Sequence, residues 1–141
     1  MDENAEIEKY RESAKLHKKY SFNGEYKKAN KEYFKLKKIF EKFKNGKLEK
    51  DLLVQLLADE SVEVQAWAAA HLLGLNYEVK KASEILEKLE KCEDKKISLD
   101  AKMTLKVWKD KGSLKFAVKR RLVELVGHVD IVCLIQFRLF P

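Results

Sequence analysis

Few residues in this 141-residue chain are equipped for chemistry, and most are spaced for something other than catalysis. His17, His71 and His128 lie far apart, with no Ser, Cys or Asp beside them in a nucleophile pattern. His17 falls on an apolar stripe and His71 sits beside Trp67, so both read as packed side chains. There is no glycine-rich phosphate loop and no HExxH pair. Cys92 and Cys133 have no metal-ligand spacing and read as reduced thiols of a cytoplasmic protein. Asp100 and Thr104, one turn apart, could hydrogen-bond a ligand. The plainer reading is a helix-start acid and a hydroxyl bonded back to its own helix. No enzyme, metal or cofactor is expected.

Lysines form the sharpest pattern. In a helix over 25–44, Lys27, Lys28, Lys31, Lys35, Lys38 and Lys42 fall within about 100° of one another, and their mean direction is about 150° from the apolar side. Glu32 and Glu41 lie off that stripe, and like charges four apart repel by a few tenths of a kcal/mol per pair. With no acid on that face to offset this, the stripe is either a solvated face or a docking face for an anionic partner. That partner would be an acidic protein surface, nucleic acid or an anionic membrane. Lys102, Lys106 and Lys109 repeat the pattern on a later helix. Helical-repeat proteins use such stripes to hold phosphates, with salt-dependent affinity. No exposed alternation of aromatic and basic residues is present, so sequence-specific readout is not expected.

The elements that must carry these residues are helices. Five glycines and one proline are too few breakers for a many-stranded sheet. Ile7, Tyr10, Ala14 and His17 mark a helix over 3–22. Tyr26, Ala29, Tyr33, Leu36, Phe40 and Phe43 mark the one over 25–44, and Gly46 suits the left-handed position that ends it. Further helices are predicted over 47–58, 62–75, 78–91 and 99–110, the last capped by Ser98 with Asp100 in its first turn. Trp67 and Trp108 read as core. Charge alternates along the chain. Residues 1–50 hold 15 basic and 9 acidic side chains, residues 51–100 hold 6 and 11, and residues 101–141 hold 9 and 3. The overall +7 therefore hides a basic–acidic–basic order that bears on partners.

The helix over 62–75, apolar almost all round, is predicted to be buried, its alanines letting neighbouring helices come close. The stretch LADESVEVQAWAAAHLLGL resembles the second helix of HEAT-type repeats, in which an Asp and, five residues on, a Val precede an alanine-rich helix. Asp59 and Val64 match; Glu60 and Val62 replace the usual prolines, and Gln65 the usual arginine. With ISLDAKMTLKVWKDKG, the order of segments over roughly 20–114 resembles a small bacterial family, domain of unknown function two-thousand-and-nineteen. That resemblance implies a HEAT-like fold and no assigned activity.

The resulting expectation is an all-α single domain over 1–114. It comprises a helical hairpin over 1–46 and a HEAT-like stack of antiparallel helix pairs over 47–114, about six or seven helices in all. The apolar tail over 115–141 is too interrupted to span a bilayer. It is expected either to pack as a seventh helix or to order poorly. The polar, acidic N-terminus does not read as a secretory signal. The expected function is protein binding without catalysis, one form being an immunity or antitoxin-like protein that blocks an acidic partner. Non-specific nucleic-acid binding is the alternative, and the sequence leaves the partner's identity and the oligomeric state open.

Overall fold

The structure, a computed structural model, describes residues 3–111. They form six α-helices, with no strand among the described residues: α1 (Glu3–Phe22), α2 (Tyr26–Lys44), α3 (Asp51–Leu56), α4 (Val62–Gly74), α5 (Val79–Leu89) and α6 (Lys95–Lys111). The expected seventh helix and His128 lie outside the described residues, as does Cys133.

α1 and α2 form the expected antiparallel hairpin. The chain reverses through Asn23 and Gly24, where Gly24 takes φ +80° and the Glu25 N–H returns to the Tyr20 carbonyl at 2.8 Å. Each helix buries most of the stripe that its spacing marks, with Ile7 and Tyr26 at its outer ends half-buried. Tyr10, Ala14 and His17 of α1 face Ala29, Tyr33, Leu36, Phe40 and Phe43 of α2, all buried. After α2, Gly46 adopts φ +84°, and the Lys47 and Leu48 N–H groups both reach the Lys42 carbonyl. That turn consumes residues 47–50, so α3 starts at Asp51 instead of 47. Its end tightens into i→i+3 bonds from Leu57, Ala58 and Asp59.

α4 is the centre of the domain, packed against α1, α3, α5 and α6. Ala66, Ala68, Ala69 and Ala70 are all fully buried, the close approach that their size permits. Trp67, 2% exposed, ties α4 to the hairpin through its ring. It meets His17 of α1 edge-on at 5.4 Å and Tyr33 of α2 at 6.1 Å between ring centroids. The core reading of Trp67 holds, and Trp108 is partly buried against the same core.

α6 begins four residues before its expected start. Asp94 is the residue that caps it, its Oδ1 accepting the N–H groups of Lys96 and Ile97 at 3.1 Å. Ser98 lies inside the helix and donates to the Glu90 carbonyl, stapling α6 to the end of α5. Asp100 is consequently not a first-turn acid. It is buried and held by Lys96 at 3.1 Å. Thr104 does bond back to its own helix, its Oγ1 donating to the Asp100 carbonyl at 2.8 Å.

Candidate partner-binding surface

The six α2 lysines stand opposite the buried stripe, with Lys27, Lys28, Lys31, Lys35 and Lys38 exposed and Lys42 half-buried. The expectation that nothing offsets their repulsion is corrected by the structure. Lys28 pairs with Glu25 at 3.0 Å, Lys35 with Glu32 at 3.1 Å, and Lys42 with Glu6 of α1. Only the tertiary fold supplies Glu6, whereas Glu25 and Glu32 lie within the expected helix and reach the stripe from its flank through i,i+3 pairs. Among the described residues Lys27, Lys31 and Lys38 make no ion pair, and they span about 16 Å along the axis at 1.5 Å per residue.

Glu6 and Glu32 are two of the buried acids of the domain, each 6% exposed. The Lys42 ammonium hydrogen-bonds Glu6 and holds its carboxyl below the usual range, against the opposing pull of burial. Glu32 binds Lys35 through one oxygen, while its Oε1 is buried without a hydrogen-bond partner. Above these two acids a groove of about 740 Å³ runs between the first half of α1 and the second half of α2. Glu8 and Glu12 line its α1 side, and Lys35, Lys38 and Lys42 its α2 side. Ala5 and Ile39 add an apolar floor, and Lys9 stands beside the acids. One wall is therefore mostly acidic and the other basic. The α1 wall escaped the sequence reading, although Glu8 and Glu12 stand four apart on one helix.

Lys102, Lys106 and Lys109 are exposed on α6, which packs on α4 and α5. The groove takes in none of them, so the structure does not bring the two lysine stripes into one site. A second basic cluster, Lys15, Lys18 and Lys19 with Lys95 and Lys96, was not singled out from the sequence. It joins α1 to α6, and only the pairing of Lys18 with Asp94 at 2.5 Å shows that the two segments meet.

His17 and His71 are packed, as expected. His71 Nδ1 and the Tyr10 hydroxyl share a buried hydrogen bond of 2.7 Å. Burial lowers both His17 and His71 to a pKa of about 3, with Lys96 adding to the effect on His17. Both are neutral at pH 7 and sealed from solvent. The half-buried Cys92 thiol donates to the Asp94 carbonyl at 3.5 Å. Among the described residues no group of three or more His, Cys, Asp or Glu is placed to hold a metal ion. Nor is any helix there long and apolar enough to cross a membrane.

Comparison of the chain with protein-family models, with curated proteins and with solved structures gives no match.

Proposed function

We propose that the chain is a non-catalytic helical protein-binding module, and that the α1–α2 groove with the lysine face beside it is the docking surface. The observation that carries this reading is the pair of opposite walls. A polyphosphate backbone offers one sign of charge and would meet Glu12, and Glu8 in its pair with Arg11, on its way to Lys35 and Lys38. A protein surface offers both signs and can satisfy both walls. Acidic residues of the partner would meet Lys27, Lys31 and Lys38, the members of the α2 stripe that make no ion pair among the described residues. An immunity or antitoxin-like protein that blocks its partner is one form this takes, working in the cytoplasm. The resemblance to HEAT-type repeats and to the bacterial family named above belongs to the same proposal, with α4 as the inner helix of a stacked pair.

The test is a photo-crosslinking residue placed at Lys38, in cells that express the chain. We expect one dominant protein adduct, lost on Lys27→Glu/Lys31→Glu and absent when the probe is moved to Lys88, exposed on α5. Adducts to nucleic acid alone would overturn the reading in favour of non-specific nucleic-acid binding, and the same adducts from both positions would overturn the assignment of the docking surface.

A further inference from the structure

We propose that the tip of the α1–α2 hairpin is a docking surface for an anionic lipid bilayer, with Phe22 as the inserted side chain and Lys15, Lys19 and Lys95 as the charges that hold it. Phe22 is 82% exposed, more than any other exposed large apolar side chain among the described residues. It is the last residue of α1, directly before the turn at Asn23 and Gly24, so it stands at the tip of the hairpin. Beside it lies a cavity of about 570 Å³ lined by five lysines from the end of α1 and the start of α6.

The ion pairs divide those lysines into two sets. Lys18 is committed to Asp94 at 2.5 Å and Lys96 to Asp100 at 3.1 Å. Asp94 also occupies the first amides of α6, so a ligand meets side-chain ammonium groups there and not a helix terminus. Lys15, Lys19 and Lys95 are exposed and make no ion pair among the described residues. An exposed phenyl ring that lines one cavity with three exposed ammonium groups free of ion pairs matches the bilayer interface, where aromatic rings sit at headgroup depth and lysines are drawn to anionic lipid.

A single nucleic-acid strand fits this surface less well, because strand binding uses successive aromatics along a track. The neighbouring Tyr20 is half-buried, and the Lys28 ammonium lies over its ring at 5.5 Å. The bilayer surface is separate from the groove proposed for protein binding, which draws on the first half of α1.

Each unpaired lysine is worth roughly a fivefold preference for an anionic surface, and burying Phe22 roughly tenfold or more. Together these give weak, reversible docking. The experiment is co-sedimentation of the full chain with vesicles of phosphatidylcholine alone and with about 30% phosphatidylserine, at about 100 mM salt. The expected result is binding only to the anionic vesicles. Phe22→Ser should reduce it roughly tenfold and Lys15→Glu/Lys19→Glu should abolish it, with helix content unchanged by circular dichroism. Lys80→Glu/Lys81→Glu on α5 makes the same change in net charge at exposed positions and should bind as the parent does. The proposal is overturned by absence of binding to anionic vesicles, by full binding of Phe22→Ser, or by equal loss in the α5 control. It is also overturned if a labelled single-stranded oligonucleotide binds where vesicles do not and the tip substitutions abolish that binding.

Discussion

Acidification between pH 8 and pH 5 should destabilise the domain through two named residues. His17 and His71 are buried and neutral in the fold, with pKa values of about 3, against about 6.5 for a solvated histidine. The unfolded chain takes up two protons as pH falls through 6.5, while the folded chain takes up neither until about 3. A depressed histidine pKa therefore removes stability as pH falls. At pH 5 each residue costs about 2 kcal/mol, together about 4 kcal/mol out of the roughly 5–15 kcal/mol that holds a domain together. That corresponds to a fall in Tm of roughly 15 °C for a chain of this size. The carboxyl groups of Glu6 and Asp94, held below the ordinary carboxylate range, act mainly below this window. Urea unfolding followed by circular dichroism at pH 8, 6 and 5 measures the effect. His17→Phe should halve the loss. It should also raise stability at pH 8 by about 1 kcal/mol, because His17 Nε2 is buried without a hydrogen-bond partner and Phe removes it. A total change under about 1 kcal/mol between pH 8 and 5, or an unchanged pH dependence in His17→Phe, would refute the reasoning.

Three further outcomes follow from the packing. Ala69→Leu places three extra carbons at a fully buried position on α4 and should cost about 1–3 kcal/mol or more, read as a lower urea midpoint. Asp94→Ala removes the cap of α6 and the partner of Lys18; thermal unfolding should show a loss of about 1–2 kcal/mol, where no change would deny the cap. Gly24→Ala adds a Cβ that meets nothing within 4 Å. Its cost of about 1 kcal/mol in urea unfolding should therefore come from φ +80° alone, and Gly24→Asn should recover part of it.

Periodicity made the helices legible, because burial in α1, α2 and α5 follows the 3.6-residue repeat that the apolar side chains write into the sequence. α4 was legible for the opposite reason. A helix apolar on nearly every side must be buried, and Ala66 to Leu73 are. Boundaries were less legible where side chains from elsewhere decide them. Ser98 has the chemistry of a cap, but Asp94 reaches the free amides first and Ser98 bonds to α5. The lysine face was legible as a stripe and misread as unopposed, because Glu25 and Glu32 reach it from off the stripe and Glu6 arrives from a helix 36 residues away. The acidic wall of the groove and the Lys15–Lys95 cluster depend on which helices lie side by side, which no local spacing encodes.

The central claim is that the groove needs both of its walls. The direct measurement is the affinity of the crosslinked partner for the parent chain and for Glu8→Lys/Glu12→Lys, beside fluorescence anisotropy of a labelled duplex, both at about 150 mM salt. If the partner's basic residues meet the acidic wall, its binding should weaken between about 2- and 30-fold, from two exposed pairs worth up to about 1 kcal/mol each. The duplex should bind neither chain. Binding of the partner that is unchanged or tighter in the variant, or duplex binding that strengthens as the acids are removed, would contradict the account.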